Sequence, residues 1–385
     1  MKLVFAHDHK LRRIGDEYYT TGGLSDSITG RYLAFFDSLT IFCRVIKKQT
    51  YDNKLFKIKN KSITIKPVSE NGSLMISKEI AKEMEDEISS SDGLIVKLHS
   101  FVAEKAIKYA RKHKIPYLVE LVGDPWDAYW NHGTLGKIVA PWMYLITKRE
   151  VKRAPYVIYV TKEYLEKRFP TNGNWIACSD VELNPNDDSA LKKRIEKIRK
   201  INSDSPIIIG TLAQIDVKYK GQEYVIAALS KLKNRNFIYK IAGNGNKDYL
   251  TKIAKKYNVL DKVEFCGNLD HSRVFDWLDS IDFYIQPSKQ EGLPRSLAEA
   301  ISRACPAAGS NVGGIGELIN HKYLFKKGNV GEIVNILDNL DKQELEKMAI
   351  DNFNNSKNYN KQLLDKRRNE FYKEFATCCS NSLKL

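Results

Sequence analysis

Short apolar runs alternate with amphipathic stretches from one end of the chain to the other, and that alternation admits few architectures. Apolar runs too short to be buried helices read as strands, and strands separated by helical stretches pair in parallel through crossover connections. Residues 2–6, 94–98, 117–122 and 156–160 read as strands, with a helix over 102–113. After a polar, turn-forming stretch the pattern restarts, with strands at 207–212, 237–242, 263–266 and 283–286 and helices at 224–232, 247–257 and 273–280. No period in residue identity accompanies these units, which argues for doubly wound sheets over a solenoid.

The chain has 385 residues with 43% hydrophobic content, too many for one ordinary core. The expected fold is α/β, two Rossmann-like doubly wound domains facing across a cleft. The first is expected over 1–183, then a linker over 184–205, the second domain over 206–340 and a helical segment over 341–385. That last segment is charged and poor in apolar residues, and it reads as a solvated helix.

A net charge of +15 and a pI near 9.3 favour polyanionic partners: nucleic acid, anionic lipid or the phosphates of a nucleotide. No zinc finger, RNA-recognition signature or compact basic stripe interleaved with aromatics is present, so nucleic acid is not an expected partner. Lys47, Lys48, Lys54, Lys57, Lys59 and Lys61 are candidates for a face toward anionic membrane. Cys43, Cys178, Cys266, Cys305, Cys378 and Cys379 include no C-x-x-C pair, a usage that fits a reducing cytoplasm. Residues 1–9 offer no secretory apolar region, and 138–146 is apolar but too short to span a bilayer. A cytoplasmic location is expected, with a peripheral position at the inner face of the cell membrane left open.

The most informative segment is 287–316, PSKQEGLPRSLAEAISRACPAAGSNVGGIG. A strand ending at Gln286 gives way to a loop with Gly292 and Pro294, then to a helix over 295–304. Free backbone N–H groups at a helix start beyond the carboxyl end of a parallel strand suit an anion. Glu291 precedes that helix and Glu299 lies inside it. A carboxylate repels a diphosphate but accepts hydrogen bonds from paired sugar hydroxyls, so both read as hydroxyl clamps.

The run from Glu291 to Glu299 resembles the E-x7-E signature of the retaining GT-B glycosyltransferases of family 4. Four other landmarks agree in order. Ile209-Gly210-Thr211-Leu212 with Lys220-Gly221 resembles the strand and Lys-Gly turn that open that family's donor domain. Ile241-Ala242-Gly243-Asn244-Gly245 resembles its I-x-G-x-G strand end. Val263-Glu264-Phe265-Cys266-Gly267 resembles its V-x-F-x-G strand, and Ser310 to Glu317 its closing S-x-x-G-G-x-x-E.

The resemblance implies a hexosyltransferase moving sugar from a nucleoside diphosphate sugar, a UDP-sugar first, to a hydroxyl of a glycan or lipid-linked glycan. It implies retention at the anomeric carbon, surface-polysaccharide assembly as the setting, and no other cofactor. By that resemblance Glu291 sits against the donor sugar and Glu299 binds the ribose hydroxyls. Lys220 neutralises the diphosphate, with Gly221, Gly243, Gly292, Leu293, Pro294 and Arg295 around it. Gly267, Asn268 and Leu269 offer backbone groups to the base, which is therefore not readable from side chains. Gly22-Gly23 matches the family's glycine-rich loop near the phosphates and acceptor, and His99 a common histidine position. Trp126, Tyr129 and Trp130 are candidates to stack on an acceptor sugar.

Two departures stand out. Where the family has an arginine this chain has Ala213-Gln214, which leaves Gln214 to hydrogen-bond a phosphate and Lys218 or Arg295 to supply charge. Where the family ends a strand with a catalytic-site histidine this chain has Val122-Gly123-Asp124-Pro125-Trp126-Asp127, with Asp124 the nearest substitute and Asp127 second. No D-x-D triplet exists and the histidines are dispersed, so metal-independent transfer is expected. Alternatives from the same fold are an epimerase or phosphorylase, and a non-catalytic binding subunit.

Overall fold

The computed structural model describes residues 1–48, 55–73, 75–130, 133–184, 187–202, 205–233 and 236–382. They form two compact units. The first holds 1–160, 165–178 and 365–385, and the second 161–164 and 179–364.

In the first unit β1 (Lys2–Ile14), β2 (Glu17–Thr20), β3 (Ser38–Lys47), β4 (Phe56–Lys57), β5 (Ile63–Ser69), β6 (Gly93–Leu98), β7 (Tyr117–Leu121), β8 (Tyr156–Tyr159) and β9 (Asn174–Ala177) form one sheet. Its parallel body runs β5-β3-β1-β6-β7-β8-β9. The strand order reverses at β1, whose partners are β3 on one side and β6 on the other. A register shift between Ala6 and Lys10 lets β1 run on into an antiparallel extension with β2 and β4. Helices α1 (Asp26–Leu33), α2 (Lys78–Ser89), α3 (Phe101–Lys112), α4 (Pro125–Trp130), α5 (Gly133–Arg153) and α6 (Tyr164–Arg168) follow in chain order. Leu94, Ile95, Val96 and Leu118 to Leu121 are buried, the near-continuous apolar character expected of strands covered on both faces.

The second unit begins with α7 (Ser189–Arg199), and its sheet runs β12-β11-β10-β13-β14-β15, every pair parallel. These are β10 (Ile207–Leu212), β11 (Phe237–Ala242), β12 (Val263–Gly267), β13 (Phe283–Gln286), β14 (Ala307–Ser310) and β15 (Leu324–Phe325). Counted from β10 the order is 3-2-1-4-5-6, the dinucleotide-fold arrangement, and it reverses between β10 and β13. Helices α8 (Gln222–Leu229), α9 (Asp248–Lys256), α10 (His271–Ser280), α11 (Arg295–Ser302), α12 (Ile315–Leu318), α13 (Val330–Asp338), α14 (Lys342–Ser356) and α15 (Lys361–Ser382) complete the chain.

Two stretches behave differently from their sequence character. The expected linker contains α7, whose Arg194 is buried and donates to the carbonyls of Ile281 and Leu278 at 2.5 and 2.8 Å. The expected solvated tail is neither solvated nor one piece. Leu345, Met348, Ala349 and Phe353 of α14 are buried in the second unit's core. From Asp365 onward α15 belongs to the first unit, where Phe371, Tyr372, Phe375 and Cys379 are buried. Tyr372 and Tyr32 both donate to Oε1 of Glu120, at 2.6 and 2.9 Å. Burial pushes the Glu120 carboxyl up, but Lys97 and these hydroxyls outweigh it and hold the group below the usual carboxylate range. Aromatic residues spaced along a charged helix are enough to anchor it, although its mean character is polar.

Candidate active site

In an open parallel sheet, ligands bind beyond the carboxyl ends of the strands where the order reverses. In the second unit that point lies after Leu212 of β10 and Gln286 of β13. The loop after β10 ends in a short helical turn over Lys218–Lys220 and then Gly221, at φ 75°. A Cβ at Gly221 would come within 2.0 Å of the Pro287 carbonyl oxygen, so only glycine lets this loop lie against the start of the 287–294 loop. The approach places Lys220 Nζ 2.7 Å from Glu291 Oε1.

Glu291 is held from two more sides. Ser288 Oγ donates to the same Oε1 at 2.7 Å and Gln286 Nε2 at 3.0 Å. Gln286 is fixed in turn by the hydroxyl of buried Tyr284, which donates to its Oε1 at 2.9 Å. Strand β13 therefore ends in a polar chain, Tyr284, Gln286, Ser288 and Glu291, that terminates on Lys220.

Glu299, on α11, is only 9% exposed, and among the described residues no hydrogen bond or ion pair reaches its carboxylate. Burial pushes its pKa up, opposed by the charges of Arg295 and His271. A buried carboxylate without a partner is costly, and the described fold leaves the hydrogen-bonding capacity of Glu299 unmet. Arg295 is exposed at the helix start, beside buried Pro294. Gly292 and Leu293 lie against Gly314, whose N–H donates to the Gly292 carbonyl at 2.6 Å.

The loop ends after β10, β11 and β12 also meet. Ala213 N–H donates to the Ala242 carbonyl at 2.9 Å, and Gly243 N–H to that of Gly267 at 2.8 Å. Gln214 and Asn268 are exposed and Leu269 is half-buried. The backbone carbonyl of Gln214 accepts from Gln222 Nε2 at 3.1 Å, while Lys218 lies over the Tyr249 ring at 4.9 Å. Glu317 acts on the backbone instead, its carboxylate accepting the N–H groups of Lys162, Glu163 and Tyr164.

In the first unit the order reverses at β1, and the chain turns polar there as His7-Asp8-His9. His9 Nε2 is 3.2 Å from Thr20 Oγ1, and that hydroxyl accepts the Gly22 N–H at 3.1 Å. A Cβ on Gly23 would meet His9 Cε1 at 2.7 Å, so the Gly22-Gly23 loop packs directly on this histidine. His99 follows β6. Its ring is 5.4 Å from that of Tyr129, and its buried Nδ1 has no hydrogen-bond partner among the described residues.

All three imidazoles are held neutral. Burial, and then the charge of Lys97, pushes His7 down to about 3 and His9 to about 4. Burial alone drives His99 down to about 4, against a contact with the Gly123 backbone. Arg44 adds a fixed cation, its Nε donating to the Asp8 carbonyl at 2.8 Å. Asp8 itself caps α3, accepting from Phe101 and Val102 N–H at 2.9 and 3.1 Å.

Asp124 is buried, accepts the Trp126 N–H at 2.9 Å and forms an ion pair with Arg168. Trp126 and Trp130 stack on each other at 5.0 Å, leaving Tyr129 as the aromatic beside His99. Of the lysines expected at a membrane face, Lys47 and Lys57 pair with Glu70 and Glu17, and Lys54 lies outside the described residues.

Sequence reading missed Gln286 and Ser288 in the second unit, and His7, His9, Lys97 and Arg44 in the first. The available signal was position: polar residues at the carboxyl ends of otherwise apolar strands.

Residues 192–357 match the family of glycosyl transferases group 1. Protein CapJ of Staphylococcus aureus is 33% identical over 372 residues, covering 94% of this chain and 92% of CapJ. The chain belongs to the group 1 glycosyltransferases. WclY of Escherichia coli, an O-antigen biosynthesis glycosyltransferase, is 28% identical over 144 residues, 37% of this chain and 39% of WclY. HepE of Anabaena, solved in complex with UDP, superposes with a TM-score of 0.63 at 15% identity, covering 96% of this chain and 99% of HepE. That likeness, together with the two parallel sheets, makes the fold GT-B, as expected from the sequence. Among the described residues of this glycosyltransferase, no helix is long and apolar enough to cross a membrane.

Proposed function

We propose that this glycosyltransferase is a retaining enzyme of family 4, transferring a hexosyl group from a UDP-sugar to a hydroxyl of a glycan or lipid-linked glycan without a divalent metal. The setting we propose is surface-polysaccharide assembly at the inner face of the cell membrane. The similarity to WclY and the UDP carried by HepE support the setting and the donor.

The observation that carries the reading is the contrast between the two glutamates of the 287–302 segment. Glu299 is buried and unpartnered, ready to accept both hydroxyls of a ribose. Glu291 is engaged through Oε1, which accepts from Gln286, Ser288 and Lys220, its cation. A donor diphosphate offers Lys220 more charge than one carboxylate does, so the ammonium moves toward the phosphates. Glu291, still positioned by Gln286 and Ser288, is then free to accept hydroxyls of the donor sugar. Lys220, Arg295 and the free N–H groups at the start of α11 stabilise the charge that builds on the departing diphosphate. The bond from the anomeric carbon to phosphate oxygen breaks, that to the acceptor oxygen forms, and the acceptor proton leaves to a base.

We propose His99 as the acceptor-side group, because its buried Nδ1, without a partner among the described residues, is available to hydrogen-bond and orient an acceptor hydroxyl. Asp124 remains the second candidate; its pairing with Arg168 suits orientation more than proton transfer.

The test is transfer from UDP-sugars after dialysis against EDTA, for the wild type and for Glu291→Ala. The expected result is a metal-free rate in the wild type, and a variant that keeps UDP affinity but loses turnover. A rate lost in EDTA and restored by magnesium or manganese would refute metal independence. Equal losses of UDP affinity and turnover in Glu291→Ala would refute the placing of Glu291 on the sugar.

A further inference from the structure

Among the described residues, four exposed large apolar side chains share one helix. Leu135, Ile138, Trp142 and Leu145 of α5 are 77, 74, 53 and 64% exposed. Their spacing of three and four residues places them on one stripe of the helix, while Ala140, Met143, Thr147, Glu150 and Val151 occupy the buried face. The stripe continues at the same spacing into Arg149 and Lys152, so its second half is cationic. Lys148, Arg149, Lys152 and Arg153 with Leu145 and Asn172 line an open depression at that end. Arg149 is paired with Glu150, but Lys148, Lys152 and Arg153 have no carboxylate partner among the described residues.

We propose that α5 is a docking surface for an anionic lipid bilayer. Charge complementarity selects this occupant. An apolar stripe that runs into unpaired cations needs a partner that is apolar at one depth and anionic at another, as acyl chains under phosphate headgroups are. A second copy meets that need poorly. In a two-fold arrangement the apolar half of one helix faces either the cationic half of the other or its own apolar half, with cations opposed to cations. At 21 residues α5 is about 30 Å long, enough to lie in the plane of the interface. Trp142 suits the headgroup boundary, and the long stems of Lys148 and Lys152 reach phosphates while their neighbours are immersed. The surface differs from the lysines of 47–61, two of which are already neutralised. The inference deepens the membrane-associated part of the proposed function and rests on it.

The test is flotation of the full-length protein with vesicles of phosphatidylcholine, with and without phosphatidylglycerol. The variants are Ile138→Glu with Leu145→Glu, and Lys148→Glu with Lys152→Glu; all four positions are exposed. UDP affinity and thermal unfolding are measured on the same samples. The expected result is binding to anionic vesicles that falls at least tenfold in both double variants, with UDP affinity and unfolding temperature unchanged. Equal binding by wild type and variants, or equal binding to neutral and anionic vesicles, would overturn the proposal. So would lipid-free self-association of the wild type that the apolar variant abolishes, which would assign the stripe to a second copy. Absence of UDP binding in every sample would count against the donor site alone, because the vesicle readout does not depend on it.

Discussion

Acidification should unfold the first unit through its histidines, and the size of the effect follows from their surroundings. In the unfolded chain each imidazole binds a proton near its ordinary pKa of 6.5, whereas in the fold His7 is held to about 3 and His9 and His99 to about 4. The folded values are depressed, so the unfolded state binds more protons as pH falls below 6.5, and stability drops with pH. The contribution is complete above that pH and is lost progressively down to about 4, or about 3 for His7. Each extra proton on the unfolded state costs about 1.4 kcal/mol per pH unit, so going from pH 7 to pH 5 removes roughly 2 kcal/mol per histidine. The three together lose about 5 kcal/mol at most, because His7 and His9 share Lys97 and His7 also feels His9 and His99.

The assay is urea unfolding followed by tryptophan fluorescence. Trp126, Trp130, Trp142 and Trp175 all belong to the first unit, and only Trp277 to the second, so the signal reports mainly the unit that holds the histidines. Carboxylates also titrate over this range, so the informative quantity is a difference of differences. Wild type should lose several kcal/mol more between pH 7 and pH 5 than the triple variant His7→Asn, His9→Asn and His99→Asn. Equal losses, or imidazole resonances titrating near 6.5 in the folded protein, would refute the argument.

Glu299→Ala should weaken UDP binding by roughly 1.5 to 3 kcal/mol, the worth of charge-assisted hydrogen bonds to a ribose, as read by calorimetry; unchanged affinity in a folded variant would remove Glu299 from the site. Lys220→Ala should bind UDP little better than uridine, since the ammonium that discriminates them is gone; a preserved wild-type ratio would assign the charge to Lys218 or Arg295. Tyr372→Phe should cost the first unit roughly 1.5 to 3 kcal/mol in the same urea assay, because Glu120 loses one of its two hydroxyl donors. A neutral result there would mean that Tyr32 and Lys97 satisfy the buried carboxylate unaided.

Much of the fold is local in origin and therefore legible in the sequence. The strands expected at 207–212, 237–242 and 283–286 coincide with β10, β11 and β13 because apolar runs of that length between amphipathic helices have one use in a parallel sheet. The Glu291 to Glu299 spacing is equally local: a loop, a proline and the first turn of α11 fix it. Gly221 was readable as a turn, and its close approach to Pro287 agrees with glycine's freedom at positive φ.

What the sequence left undecided depends on strand order, which brings residues far apart in the chain to one place. Nothing near Lys220 indicates that Glu291 will neutralise it, because the pairing exists only once β10 and β13 are neighbours. His7, His9 and His99 look dispersed, yet they gather because β1 and β6 are adjacent where the first sheet reverses. The C-terminal helix reads as solvated from its average polarity, and only packing distinguishes the few aromatic positions that bury from the charged ones between them. Glu120 reads as one charge inside an apolar strand, and the tertiary structure alone supplies the two tyrosines and the lysine that let it stay ionised there. Propensity and pattern act over a few residues, whereas the ionisation and pairing of a buried group are set by whatever the fold places within a few ångströms of it.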